Sequence, residues 1–144
     1  MKNLKIAIGS DHAGFELKEE IKQKLQELYL EYYDFGTYDK TRVDYPVIAK
    51  DIAARVADGK FDRGIIVCGT GIGVAIAANK VRGIRAANCN DIFCAKMSRL
   101  HNNANILTLG GRVVGPGLAL EIVKTWLETE FEGERHQKRV DMLE

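Results

Sequence analysis

The chain has 144 residues, of which 21 are Lys or Arg and 20 are Asp or Glu, so its formal net charge is +1. This length suits one ordinary domain, and the near-neutral charge argues against a partner held by long-range electrostatics, such as nucleic acid or an anionic membrane surface. The cysteines Cys68, Cys89 and Cys94 match neither a disulfide framework nor a paired zinc-ligand spacing, which favours a reducing compartment and no metal. The opening run is too short for a secretory signal, and residues 64–78 are too few to span a bilayer. We expect a cytoplasmic protein that binds neither nucleic acid nor membrane.

Short apolar runs alternate along the chain with segments of helical periodicity. The first run, KIAIGS (5–10), predicts a strand, and the helix that follows it places Leu17, Ile21, Leu25 and Leu28 on one face. Four further strands are predicted at 31–36, 64–68, 84–88 and 105–110. The helices after them are predicted to begin near Pro46, Ile72, Asp91 and Leu118.

This order predicts a single α/β domain over residues 1–144, a doubly wound, Rossmann-like fold with a five-stranded parallel sheet and helices on both faces. The most economical strand order is 2-1-3-4-5, which places the topological switch point between the first and third strands. The loops that leave these two strands are Ser10–His12 and Cys68–Gly71. We therefore expect the functional site at these loops.

The sequence CGTGIG (68–73) is the strongest local signal. It is not a complete dinucleotide fingerprint, because the sixth position is Val74, and the chain has neither a P-loop nor the arginine of a cysteine phosphatase loop. A thiol followed by backbone N–H groups at a helix start suits a negatively charged oxygen and favours the thiolate of Cys68. Cys68 is thus either a base or nucleophile, or a small buried core residue. Its place at the predicted switch point favours the first interpretation.

Polar residues near these loops are the next candidates. Asp11 and His12 end the first strand; an Asp before a helix is commonly an N-cap, which leaves His12 unexplained. Tyr45 opens the second helix beside Pro46, a position more typical of packing. Arg112 follows the fifth strand and is either an anion partner or a surface residue.

The last third of the chain adds histidine and arginine candidates. In ERHQKR, Arg135 and Arg139 are four residues apart and would share one helix face, as a clamp for a phosphate dianion requires. The alternative is a solvated charged tail. His101 either ends the fourth helix with its imidazole bonded to carbonyls or transfers protons near neutral pH.

Several motifs occur in a fixed order along the whole chain: SDHAGF (10–15), DYP (44–46), CGTGIG with AANK (68–80), GIRAA (83–87), SRLHNNAN (98–105), GGRVVG (110–115) and ERHQKRV (134–140). With these motifs the chain resembles the B-type ribose-5-phosphate isomerases, a group that also contains isomerases of allose 6-phosphate and galactose 6-phosphate. The resemblance implies interconversion of ribose 5-phosphate and ribulose 5-phosphate through an enediolate, a step of the pentose phosphate pathway, without metal or cofactor.

The resemblance also implies a role for each matching residue. Cys68 becomes the base that moves a proton between C1 and C2, and His101 becomes the acid/base that opens the sugar ring. The C-terminal segment 131–144 contributes basic phosphate-binding residues. The implied substrate contacts are Asp11, His12, Tyr45 and Asn102, an oxyanion cradle of Gly69, Thr70, Gly71, Ile72 and Gly73, and the phosphate partners Arg112, Arg135 and Arg139.

Some relatives replace the cysteine by a glutamate one turn into the next helix, but here that position is Val74 and Cys68 is present. The chain is therefore similar to the cysteine branch. Galactose 6-phosphate isomerase subunits usually lack a histidine matching His101 and differ in the HQKR tail, which favours a pentose phosphate substrate. The alternatives are an isomerase of a six-carbon phosphosugar and a non-catalytic phosphosugar or nucleotide sensor in which Cys68 only packs.

Chain direction predicts that one chain does not unite Cys68 with His101. The helix after each parallel strand runs back to the end of the sheet where the strands begin. The end of the fourth helix therefore lies at the opposite end of the strands from Cys68, about 15 Å away for a ten-residue helix. If both residues act on one substrate, as the resemblance implies, His101 comes from a neighbouring chain. We expect a homodimer with shared active sites, and the sequence leaves open whether dimers pair into tetramers.

Overall fold

The computed structural model describes residues 3–144 and contains a five-stranded parallel sheet flanked by helices. The strands are β1 (Lys5–Ser10), β2 (Glu31–Asp34), β3 (Arg63–Cys68), β4 (Ala86–Asn88) and β5 (Ile106–Gly110). The helices are α1 (Phe15–Glu27), α2 (Tyr45–Ala57), α3 (Ile72–Ala78), α4 (Ile92–Leu100), α5 (Pro116–Glu128) and α6 (Arg135–Asp141). No helix within residues 3–144 combines the length and the apolar character needed to cross a bilayer. The predicted fold class is confirmed.

Alternating residues of the central strands pack into two core layers, one on each face of the sheet. Ile65 and Val67 of β3 point into the layer formed with α1 and α5. Ile66 and Cys68 point into the layer formed with α2 and α3. The strands are buried on both faces, which explains why their sequences are nearly continuous apolar runs.

The strand order is β2-β1-β3-β5-β4, so the expected order 2-1-3-4-5 is wrong in its last two positions. All five residues of β5 are buried, whereas the three residues of β4 are half-buried or exposed. A strand at the centre of the sheet is buried on both faces. This burial costs less free energy for ILTLG than for the more polar IRAAN segment. β5 therefore pairs with β3, and β4 forms the edge.

The outer edge of β4 is closed by a side chain instead of a sixth strand. The amide of Asn79 donates to the carbonyl of Ala86 at 3.0 Å, and its oxygen accepts the N–H of Ala86 at 2.8 Å. This pairing occupies the backbone groups that a neighbouring strand would use. It accompanies a strand shorter than the predicted 84–88.

Candidate active site

Cys68 is the last residue of β3, where the chain turns toward α3. Its side chain is buried and belongs to the core layer under α2 and α3, so it does pack. Its Sγ also accepts a hydrogen bond from the N–H of Gly71 at 3.2 Å. The thiol therefore lies directly against the backbone N–H groups of the loop that follows it.

That loop, Gly69–Gly73, is called the cradle below. Gly71 has φ +82°, and a Cβ there would lie 2.4 Å from Oδ1 of Asn88. The hydroxyl of Thr108 donates to the carbonyl of Gly71 at 2.7 Å, and Oγ1 of Thr70 accepts the N–H of Ile72 at 3.1 Å. Only glycine fits the turn without strain, and neighbouring polar groups hold its backbone in place.

Two further candidates lie against the cradle. A Cβ on Gly73 would be 2.6 Å from the ring of Tyr45, so the tyrosine packs directly on this glycine. The side chain of Arg112 lies within van der Waals distance of the Cβ position of Gly69. The backbone N–H of Arg112 donates to the Gly69 carbonyl at 3.0 Å. Arg112 comes this close because β5, and not β4, is the neighbour of β3.

Asp11 and His12 lie in the adjoining loop after β1. Oδ1 of Asp11 accepts the N–H groups of Ala13 and Gly14 at 3.0 and 3.1 Å, which forms a turn before the helix. The capping interpretation of this residue is wrong, because the N-cap of α1 is Gly14. Nδ1 of His12 accepts the N–H of Val43 at 3.4 Å. The backbone N–H of Asp11 donates to Val67 O at 3.2 Å, which ties this loop to the end of β3.

Asn90 contacts the cradle but is not among the residues that the sequence singles out. Its side-chain oxygen accepts the N–H of Gly110 at 3.1 Å, and its amide nitrogen is 3.5 Å from the Thr70 carbonyl. Asn90 follows β4, and Thr108 lies in β5. The strand order 2-1-3-4-5 would have placed β4, not β5, against β3, which hid the contact of Thr108 but not that of Asn90.

His101 belongs to a second group of residues. It is the C-cap of α4, and its ring stacks on that of His136 with centroids 4.1 Å apart and planes 14° apart. Nε2 of His136 is 3.6 Å from Oε1 of Glu132, which also lies 3.6 Å from Nη1 of Arg135. Asn102 lines a neighbouring cavity of about 410 Å³ between β4 and Leu143.

The two groups lie at opposite ends of the parallel strands. Cys68 pairs with Gly110, the last residue of β5. His101 precedes Ile106, the first residue of that strand. Four residue steps of β-strand span about 13 Å, so one chain does not bring Cys68 and His101 together. This geometry supports the separation predicted from chain direction.

α6 explains how the arginine residues join His101. His136 and Val140 are its buried residues, and they hold the helix against the protein while Arg135 and Arg139 remain exposed. Burial lowers the pKa of His136, and the neighbouring His101 and Arg135 lower it further. His136 is not among the residues that the sequence singles out; its four-residue spacing from Val140 was the available signal.

The other two cysteines are Cys89 and Cys94. Burial raises the pKa of the Cys89 thiol to about 11, which makes its thiolate scarce at neutral pH. Cys94 is exposed, and its neighbour Asp91 raises its pKa. All three cysteines are free thiols.

Comparison with known proteins identifies the family. A model of the family described as Ribose/Galactose Isomerase matches residues 6–143. The chain belongs to this family. It is 50% identical over 139 residues to ribose-5-phosphate isomerase B of Escherichia coli strain K12, an alignment covering 96% of this chain and 93% of that protein.

Two other relatives give the range of names. The chain is 47% identical to the protein of Pectobacterium atrosepticum named D-erythrulose-4-phosphate isomerase, over 97% of this chain and 93% of that one. The solved structure of Clostridium thermocellum ribose-5-phosphate isomerase B matches with a TM-score of 0.96 at 55% identity, covering 97% of this chain and 95% of that one. The protein is thus a sugar phosphate isomerase with the fold of these relatives.

Proposed function

We propose that this isomerase interconverts ribose 5-phosphate and ribulose 5-phosphate through an enediolate, without a metal or organic cofactor. The observation that carries the proposal is the position of Cys68, whose Sγ accepts the Gly71 N–H at 3.2 Å at the mouth of the cradle. Aldose-ketose isomerisation needs a base beside the carbon acid and donors aimed at the oxygen that becomes negative. Cys68 and the cradle offer both within one turn.

In the proposed reaction Cys68 removes the proton from C2 of the open-chain aldose and returns it to C1. Negative charge then develops on the oxygen of C1, and backbone N–H groups of the cradle stabilise it. The proton of the C2 hydroxyl moves to the oxygen of C1 as C2 becomes the carbonyl carbon of the ketose. Tyr45 shapes the cradle through its contact with Gly73, and Asp11 and His12 bind the sugar from the loop after β1. Asp11 retains Oδ2 for this purpose, because the turn bonds use only Oδ1.

We infer that the complete site is shared between two subunits. His101 would open the sugar ring by moving a proton from the anomeric hydroxyl to the ring oxygen, with Asn102 beside it. His101 lies at the opposite end of the strands from Cys68 of its own chain, so a partner chain has to provide one of the two residues. A two-fold dimer satisfies this for both sites at once. Arg112 from one side and Arg135 and Arg139 from the other would bind the phosphate.

The test is direct: purified protein is mixed with ribose 5-phosphate, and ribulose 5-phosphate is measured by its ketose absorbance or a coupled reaction. Turnover by the wild type and none by Cys68→Ala would support the proposal. A folded wild-type protein that binds the sugar without isomerising it would indicate a phosphosugar-binding module instead.

A four-carbon substrate is the second candidate, because the 47% identical relative carries the name D-erythrulose-4-phosphate isomerase. Six-carbon phosphosugars such as allose 6-phosphate form a third class. Each substrate uses the same carbon acid chemistry, so the specificity constants decide among them. A kcat/KM for ribose 5-phosphate below that for the other sugars would overturn the pentose assignment.

A further inference from the structure

The side chains of His101, Glu132 and His136 form a cluster that the proposed isomerisation does not use as a unit. One ligand atom from each lies within 4.8 Å of the other two. Two imidazoles and one carboxylate are the ligand set of several catalytic zinc sites, with ligand atoms about 2.0–2.2 Å from the ion. The stacked rings direct their in-plane lone pairs side by side, so one ring has to rotate out of the stack and the exposed Glu132 has to move for the three atoms to reach one ion.

His136 provides the second observation. Its side chain is 6% exposed, and its Nε2 has no hydrogen-bond partner among residues 3–144. This nitrogen points toward Glu132, whose Oε1 is 3.6 Å away, a distance too long for a hydrogen bond. An unpaired buried nitrogen is costly, and a ligand that it contacts would remove that cost.

The geometry points to a binding site for a divalent transition metal ion, of which Zn²⁺ is the best fit, at His101, Glu132 and His136, with water or an anion as fourth ligand. We propose that the ion inhibits the enzyme, because it occupies the imidazole that the proposed function assigns to ring opening. The binding does not depend on that function, whereas the inhibition does.

The surrounding positive charge weakens the binding of a cation at this site. Arg135 lies 3.6 Å from Glu132 and Arg139 lies on the same helix, so positive charge opposes a cation. The side chain of Arg135 is 64% exposed and can turn to solvent when the carboxylate binds the ion. We therefore expect reversible binding that a chelator removes, and a chelator should maintain or raise activity.

The experiment measures ZnCl₂ binding by calorimetry and CoCl₂ binding by visible absorption, on the intact protein at neutral pH. Glu132→Gln and His136→Gln each remove one ligand, and we expect each to weaken Zn²⁺ binding at least about tenfold, as loss of even an outer-sphere partner does. Glu134→Gln is the matched control, two residues from Glu132 and outside the cluster. Cys94→Ser is the control for the exposed thiol.

Unchanged Zn²⁺ affinity in both ligand variants would overturn the proposal, as would a thiolate charge-transfer band in the Co²⁺ spectrum. Glu132 is exposed, so its variant decides the matter if His136→Gln does not fold. Zinc should inhibit wild-type isomerisation, and Glu132→Gln should resist it at least about tenfold better. A zinc-free wild type without isomerase activity would count against the proposed function, while the binding result would stand separately.

Discussion

At the scale of single residues, Cys68 combines a buried thiol with a hydrogen bond from the Gly71 N–H. A thiol at this position is inside the protein and still next to the cradle, so its packing and its proposed chemistry do not exclude each other. Of the other two thiols, Cys89 is buried with a raised pKa and Cys94 is exposed on α4.

We expect Cys68→Ala to lose at least about 10²-fold in kcat/KM while the protein stays folded, because a proton-transfer group is removed and the substitution is small. Steady-state kinetics and circular dichroism check this, with Cys94→Ala as the matched control. Activity within a few-fold of wild type would show that Cys68 only packs.

Gly71 permits a second prediction, on stability. An alanine there would take φ +82° and place its Cβ 2.4 Å from Asn88 Oδ1, so both strain and a clash oppose it. We expect Gly71→Ala to lower the free energy of unfolding by about 2–4 kcal/mol, measured by urea denaturation.

Gly59 is the control for backbone strain alone, because it has φ +85° and nothing within 4 Å of its Cβ position. Gly59→Ala should cost about 1 kcal/mol. Equal costs for the two variants would mean that crowding of the Cβ by Asn88 and by the backbone of Leu109 adds nothing to the backbone strain.

At the scale of secondary structure elements, a buried ion pair joins α1 to the end of β2. Nζ of Lys18, which is fully buried, donates to both oxygens of Asp34 at 2.9 and 2.8 Å, and also to the carbonyl of Thr37. Ser10 exchanges backbone hydrogen bonds with Gly36 and Thr37 at 2.6 Å each. The pair thus holds the segment that supports the end of β1, one residue before Asp11.

Burial would raise the pKa of Asp34, but hydrogen bonds from Lys18, Lys22 and the Gly36 N–H hold it below its ordinary value. A lowered native pKa adds stability above the unfolded value of about 3.9, and this stability is lost as pH falls through the native pKa. We expect Asp34→Asn to cost about 3 kcal/mol at pH 7, with the difference from wild type shrinking below about pH 4.

Urea denaturation from pH 7 to pH 3 measures this difference. Glu31→Gln is the surface control, since its pair with Lys5 is exposed and 4.0 Å long and should contribute less than about 1 kcal/mol. A constant difference between wild type and Asp34→Asn across that range would contradict the role of the carboxylate charge.

The elements also show what the sequence could predict. Periodicity located every strand and the first five helices, because each has a distinct apolar pattern. The order of β4 and β5 depended on which of the two strands is buried on both faces. That comparison is between segments 18 residues apart, and the order of the strands along the chain does not reveal it. The contact of Thr108 with the cradle followed from that order and was missed with it.

At the scale of the whole molecule, the residues of the candidate site are divided between the two ends of the parallel strands. Chain direction predicted the separation of Cys68 and His101, since the helix after a parallel strand must return to the end of the sheet where the strands begin. It could not predict that His136 stacks on His101, because that contact depends on how the linker after α5 positions α6. The linker is held by Arg99, whose Nε donates to the Thr129 carbonyl at 3.1 Å, and by the Glu132 N–H, which donates to the Leu100 carbonyl at 3.1 Å.

The last prediction tests whether two chains share each site. Cys68→Ala and His101→Ala proteins, each inactive alone, are mixed under conditions that exchange subunits. A mixed dimer holds one site with both wild-type residues and one site with neither, so activity should reappear, at about a quarter of the wild-type value after random exchange of equal amounts. Native mass spectrometry confirms that mixed dimers are present, and a mixture of Cys68→Ala with Cys68→Ser is the control, because no site in it has both residues. If verified mixed dimers are inactive, either each site takes Cys68 and His101 from the same chain, or His101→Ala is inactive because the structure is damaged. The 13 Å or so between the ends of β5 argues against the first explanation, so that result would give His101 a structural role instead of a catalytic one.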